Sequence, residues 1–154
     1  MKSFRLLLAA LLPLATLAGC ATGPQFSQYS ATIQPPAATD GRIWFYRPSK
    51  FLMGAVQPHV FLNDVIVGKA QPGCYFFADR PPGDYEIKCS TEWASKFIVH
   101  LEAGDEKFVR LTLGPGVVVG HVIPAEIDKA RGLDEIAECK LITADGANAE
   151  LRGK

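Results

Sequence analysis

Four cysteines, three histidines and a scatter of carboxylates are what this 154-residue chain offers for chemistry. The cysteines are Cys20, Cys74, Cys89 and Cys139, and no two stand at Cys-x-x-Cys spacing. Neither a dithiol redox motif nor a zinc knuckle is indicated. His59, His100 and His121 make no His-Glu-x-x-His or other short metal spacing, so ordinary surface or half-buried roles account for them. A Gly-x-Ser-x-Gly nucleophile elbow is missing. Asp64, Asp84, Asp105 and Glu106 fall at turns, where short acidic side chains bond the local backbone. Gly114-x-Gly116-x-x-x-Gly120 misses the dinucleotide fingerprint by one residue and lacks its strand-to-helix setting. Trp44, Tyr46, Tyr75, Phe76, Phe77 and Trp93 have the rings to line a glycan or peptide groove, although such rings more often fill a core. The sequence therefore offers no catalytic set, no metal site and no cofactor site.

Cys20 differs from the other thiols in its context. Lys2 and Arg5 precede an apolar run, Leu6 to Leu17, that is too short for a bilayer span of roughly 20 residues. A charged start, a short apolar core and small residues at the end make a secretory signal peptide. Here Leu17-Ala18-Gly19 leads directly into Cys20. This stretch resembles the lipobox of bacterial lipoproteins. The resemblance implies a leader over residues 1–19, a diacylglyceryl thioether on Cys20, and cleavage and acylation at its amine. It makes the lipid membrane a partner of the chain, on the periplasmic face of the cell envelope. Ala21 stands where an aspartate marks inner-membrane retention in enterobacteria, which points to the outer membrane.

Charge narrows the partners further. The chain has 16 basic and 16 acidic residues, and loss of Lys2 and Arg5 with the leader tips the mature form slightly acidic. Without a basic cluster interleaved with aromatics, nucleic acid is not expected as a partner. Cys74, Cys89 and Cys139 would then stand in an oxidising space, and three is an odd number, so at most one bridge forms within the chain.

The elements read as follows. Residues 20–40 are polar, Pro-bearing and aperiodic, which predicts a flexible tether. Order is expected from Gly41, where Arg42 to Arg47 is apolar on both faces and Pro48 ends the strand. Asn63-Asp64 between two β-branched runs predicts a two-residue hairpin. Residues 73–78 and 84–90 flank Asp79-Arg80-Pro81-Pro82-Gly83 as a second predicted hairpin, and 97–101 and 107–113 flank Ala103 to Glu106 as a third. Residues 117–123 are a further strand candidate. Ile127, Ala130, Leu133, Ile136 and Ala137 recur at helical spacing, weakened by Gly132. Leu141-Ile142 offers an edge strand, and residues 143–154 a polar tail. The expected fold is all-β: a small antiparallel sandwich of about seven strands over residues 41–142, with one short C-terminal helix.

In the hairpin register that sets Ala78 opposite Tyr85, Cys74 faces Cys89. That pair is the first disulfide candidate, and Cys139 is the rival partner for either. A one-residue slip would put the two side chains on opposite faces.

Gly41-Arg42-Ile43-Trp44-Phe45-Tyr46-Arg47-Pro48, the Val60 to Gly68 hairpin, and Gly73-x-Tyr75-Phe76 leading into Pro82-Gly83-Asp84-Tyr85-Glu86-Ile87 form a recognisable layout. It resembles an uncharacterised family of bacterial lipoproteins, a domain of unknown function. It is also similar to PEGA-type and carboxypeptidase-regulatory-like (transthyretin-like) β-sandwiches. Glu135-Ile136 fits the C-terminal pattern of that lipoprotein family. These motifs are turn and core residues, so the resemblance implies a fold and no reaction. The function expected is a non-enzymatic, membrane-anchored module that meets another envelope protein through a strand edge or aromatic face. A binding module for a small molecule or glycan is the second expectation, and an enzyme with a spatially assembled His and acid site the third.

Overall fold

The computed structural model describes residues 21, 23–49, 55–90, 96–114 and 120–142. The leader, Cys20, Trp93 and the tail from Thr143 lie outside the described residues. The described residues form nine strands in two sheets, with β1 at Gly41–Arg47, β2 at His59–Leu62, β3 at Val65–Lys69 and β4 at Cys74–Arg80. They continue with β5 at Gly83–Cys89, β6 at Phe97–Leu101, β7 at Glu106–Gly114, β8 at His121–Ile127 and β9 at Lys140–Leu141. The first sheet has the order β8-β7-β1-β4-β9 and the second β3-β2-β5-β6. Two short helices, α1 at Phe26–Tyr29 and α2 at Lys129–Ile136, complete the described elements with a 3-10 turn at Ser30–Thr32.

β1 sits at the centre because neither of its faces can meet water. Ile43 and Phe45 point between the sheets, Trp44 and Tyr46 point to the other side, and all seven residues are buried. It pairs antiparallel with β4, Phe45 opposite Phe76, and parallel with β7, Phe45 opposite Val109. Phe45 and Phe76 stack with centroids 5.1 Å apart. The second sheet has one wet face. In β5, Ile87 and Cys89 are buried while Asp84 is exposed, and in β6, Val99 and Leu101 are buried while Ile98 and His100 are exposed. This is the period-2 pattern of a half-buried strand. The core between the sheets gathers Val60, Leu62, Val67, Ile87, Val99, Leu101, Val109 and Leu111 around the β1 and β4 rings.

The Asn63-Asp64 hairpin forms as expected. Both residues take positive φ, 47° and 65°, which matches the turn to the twist of β2 and β3. The other two predicted hairpins do not form. β4 pairs with β1 and β9, whereas β5 pairs with β2 and β6, so the chain at Pro81-Pro82 arches from one sheet to the other. The link at 102–105 does the same between β6 and β7. The burial patterns explain this. β4 begins Cys74-Tyr75-Phe76 with every residue buried and needs a site covered on both faces. β5 alternates and needs one wet face. Cys74 and Cys89 therefore do not face each other, and the expected pair is not made. Cys74, Cys89 and Cys139 are all buried free thiols.

The fold class is the expected one, a two-sheet all-β sandwich with a short C-terminal helix, and its details differ in two respects. The first sheet is mixed, with β1–β7 and β4–β9 parallel, and the described residues hold nine strands where about seven were expected. The segment predicted as a tether is also seated on the fold. Ala21 is 5 % exposed within the inter-sheet core. Pro24 O accepts from Leu141 N–H at 2.9 Å, and Phe26 N–H donates to Cys139 O at 2.9 Å. Phe26 packs edge-on against Trp44 and Tyr75, and Ile33 lies against the same cluster. The polar composition that predicted a tether was outweighed by these two apolar residues and by backbone pairing to the C-terminal segment.

The architecture is thus three-layered. The outer face of the first sheet carries a second core of Phe26, Trp44, Tyr46, Tyr75, Phe108, Ile136 and Cys139, roofed by α1 and α2. Asp128 caps α2 by accepting from Arg131 N–H at 3.0 Å, and Gly132 lets the helix approach Phe108.

Candidate functional site

The densest polar constellation lies under α2, on the outer face of the first sheet. Glu135 projects from the helix toward β1 and β7. Its carboxylate accepts from Tyr46 Oη at 2.9 Å, from Arg110 Nη1 at 3.0 and 3.2 Å, and from Arg131 Nε at 2.7 Å. Burial alone would raise the carboxyl's pKa. The hydrogen bonds from Arg131 and Tyr46 and the charges of Arg110 and Arg131 outweigh it, so Glu135 is held below the usual carboxylate range. Tyr46 is pushed well above the ordinary phenol value, first by burial and then by its bond to Glu135. A carboxylate, a phenol and two guanidinia together resemble acid–base machinery. Here the carboxylate is saturated by internal donors and the tyrosine is fixed as a donor, so the group clamps α2 to the sheet.

A second polar group closes the opposite end of the same face. Arg42 donates to both oxygens of Asp79, at 2.6 and 2.7 Å, and to Gln34 O at 2.7 Å. Its guanidinium lies 4.3 Å from the Phe77 centroid and 5.1 Å from that of Trp44. A planar cation with a fork of donors suits this place between rings and a carboxylate. Trp44 Nε1 donates to Glu106 at 3.2 Å, and Lys129 pairs with the same carboxylate. On the inner side, Arg47 is buried and gives Nη1 to Val56 O and Ala70 O, both at 2.6 Å. These arginines hold loops and layers in place.

The residues singled out in the sequence are dispersed. His59 opens β2, His121 opens β8 in the other sheet, and His100 lies near the far end of β6. His100 Nδ1 stands 2.7 Å from Asp84 Oδ1 on a cross-strand pair, with both side chains largely exposed. The hydrogen bond and then the charge of Asp84 raise the imidazole pKa above its ordinary value. The stability this pair supplies is therefore present below the unfolded histidine pKa and fades as pH rises through the folded one. Trp44, Tyr46, Tyr75 and Phe76 are buried in the two cores, and Phe77 is partly buried. The aromatic set does not make an open groove among the described residues.

The thiols offer no ready nucleophile. Burial first, with the charge of Cys139 next for Cys74, pushes Cys74 up to about 12. Cys89 is raised to about 12 by burial alone. Cys139 is also raised to about 12, by burial and then by Glu138 and Glu135. Cys74 Sγ contacts Lys69 O at 3.6 Å and Cys139 Sγ contacts Arg47 O at 3.7 Å. Glu135, Tyr46 and Arg42 each stood in stretches noted in the sequence, but the Glu135 clamp and the Arg42 stack were not foreseen, because their other partners come from distant elements.

What remains open is an edge. β8 and β9 border the first sheet, but β8 carries Pro124 and β9 has two residues. β3 and β6 border the second sheet, each with five residues and no proline; a bulge interrupts the pairing of β3 with β2, whereas β6 pairs in unbroken register and leaves Ile98 64 % exposed. Such an edge accepts an added strand.

Comparison with known proteins gives a family and no activity. The model of a family described as "Protein of unknown function (DUF2846)" matches residues 37–122, more than half of the chain. An uncharacterized protein of Haemophilus influenzae is 22 % identical over 130 residues, covering 81 % of this chain and 77 % of its own length. No solved structure matches.

Proposed function

The chain belongs to the DUF2846 family, and from that premise we propose that it is a lipid-anchored envelope protein with an interaction role rather than a catalytic one. The lipobox at Leu17 to Cys20 supports the anchor. One observation carries the interaction role: of the two proline-free, five-residue edge strands, β3 and β6, β6 pairs with its neighbour in unbroken register and presents Ile98, the most exposed of the large apolar residues among those described, beside its open edge. An extended segment of a partner protein would add to β6, its backbone supplying the hydrogen bonds and an apolar side chain covering Ile98. The reading also draws on the polar chemistry described above, where Glu135, Tyr46, Arg42 and the three thiols serve the packing of the layers.

A photo-crosslinking amino acid at Ile98, expressed in the native envelope, tests the interaction. A discrete higher-mass adduct is expected from position 98 and none from Leu133, an exposed apolar residue on α2. Equal adducts from both positions, or none from Ile98, would overturn it. Mass spectrometry of the N-terminal peptide tests the anchor. The expected species begins at Cys20 and carries diacylglyceryl and N-acyl mass.

A further inference from the structure

We infer that the strand added to β6 is β6 of a second copy of this chain, paired antiparallel about a two-fold axis at Val99. The inference rests on the reading of β6 as an interaction edge given above. The strand beside it determines which backbone groups β6 offers. Asn63 N–H donates to Glu86 O at 2.9 Å and Ser90 N–H to His59 O at 3.0 Å, so the even-numbered residues of β5 turn their backbone toward β2. The odd-numbered ones turn toward β6, as antiparallel ladders alternate. Their partners Phe97, Val99 and Leu101 face β5, which leaves the N–H and C=O groups of Ile98 and His100 at the open edge. The ladder ends just beyond them, where Glu102 N–H donates to Asp105 Oδ2 at 3.2 Å and Glu102 O accepts from Asp105 N–H at 3.1 Å.

Two such edges match only where outward-turned residues oppose outward-turned residues. With the axis at Val99, Ile98 lies opposite the partner's His100 and His100 opposite the partner's Ile98, and each pair exchanges both of its N–H···O bonds. The same register sets Lys96 against the partner's Glu102 and Glu102 against the partner's Lys96. Both side chains are largely exposed on the wet face of the sheet, where Lys96 reaches Glu86 and Glu102 lies near His100. On the inner face, half-buried Phe97 meets the partner's Leu101, which covers the core at its rim. Moving the axis by one residue keeps the backbone match and loses the charge match. Lys96 then faces the partner's His100, or the two His100 rings face each other. Opposite charges directly across a strand pair stabilise it and like charges oppose it. The row from Lys96 to Glu102 runs from basic to acidic, so it complements its own reverse. That self-complementarity is what a two-fold interface requires. A foreign segment places no such demand on β6.

The test uses the full chain in the native envelope, with two differently tagged copies expressed together, one carrying Ile98→Cys and the other His100→Cys. Both positions are exposed, and Cys74, Cys89 and Cys139 are buried. In the proposed register positions 98 and 100 face each other with Cα atoms about 5.5 Å apart, inside the range that a disulfide bridges. Two copies of Ile98→Cys stand diagonally at about 7–8 Å, beyond that range. Oxidation with diamide should link the two tags in a dimer several-fold above the yield from Ile98→Cys expressed alone or from the wild type. Lys96→Cys with Glu102→Cys, exposed and opposed in the same register, replaces the pair if either variant does not fold. Equal yields from mixed and single-variant copies overturn the register and the inference with it. A mixed yield no higher than that of the wild type also overturns it, and the photo-adduct at Ile98 then separates the two readings. An adduct joined to a different protein keeps β6 as an interaction edge with another occupant, whereas no adduct removes the edge as well.

Discussion

Glu135 shows how a single carboxylate can hold two layers together. It joins a helix to two strands through one phenol and two guanidinia, so its loss is felt by all of them. Glu135→Gln should cost about 2 kcal/mol, the scale of a charge-assisted bond left unmade in a partly buried place. The pH dependence follows from the lowered carboxyl pKa. A depressed folded value supplies stability above the unfolded pKa and loses it as pH falls through the folded one. Urea midpoints of the wild type and Glu135→Gln should therefore differ at pH 6 and converge toward pH 3. A constant gap across that range would show that the charge is not the cause. The thiols give a second expectation at this scale. Native protein should resist alkylation at pH 8, and the unfolded chain should take up one label each at Cys74, Cys89 and Cys139 without prior reduction. Recovery of a Cys74–Cys89 peptide by non-reducing mapping would restore the hairpin that the fold lacks.

At the scale of elements, α2 makes the clearest case for packing over propensity. Alanine is a better helix former than glycine by about 1 kcal/mol, which on sequence grounds marks Gly132→Ala as stabilising. Against the sheet, a Cβ at 132 would lie 2.6 Å from Phe108 Cγ, so the helix must lift. Overpacking of this kind costs about 1–3 kcal/mol, and Gly132→Ala should lower the Tm. A raised Tm would mean that Phe108 yields freely. The N-terminal segment gives the matching case. Phe26→Ala should destabilise by about 3 kcal/mol, and limited proteolysis should spare the chain from Phe26 onward in the wild type but cut there in the variant. Element identity was largely legible: β1 from its two apolar faces, the β2–β3 turn from Asn63-Asp64, α2 from its spacing. Pairing was not. Pro81-Pro82-Gly83 has the same chemistry whether the chain turns back beside itself or arches to another sheet. What distinguishes the two is that β4 is apolar on both faces and β5 on one, a difference of solvent exposure rather than of turn. Phe26 was invisible for another reason: one ring in a polar stretch has no periodicity, and its partners Trp44 and Tyr75 come from distant strands. The Glu135 clamp needed three elements brought together, which no local spacing encodes.

For the whole molecule, the first sheet is the common wall of both cores, so the layers should unfold together. Far-UV circular dichroism and the fluorescence of Trp44, read in a Trp93→Phe variant, should give coincident thermal transitions, since Trp44 lies in the outer core while the strands span both. An early fluorescence transition would instead mark the outer layer as separable. The connectivity has a further consequence. Arg42 pairs with Glu106 and Cys74 with Lys140, so the central strand and its neighbours wait for partners from far downstream. Topologies of this kind fold slowly. During that wait the three cysteines that end up buried and unbridged are open to any oxidant in the space where the chain is released. Each bridge formed early joins thiols that the finished molecule leaves free, and must be reduced before the native packing can form. Maturation is then a contest between strand assembly and thiol oxidation. Refolding yield, unlike the stability of the finished protein, should rise with added reductant, and it should become indifferent to reductant when Cys74, Cys89 and Cys139 are all replaced by alanine.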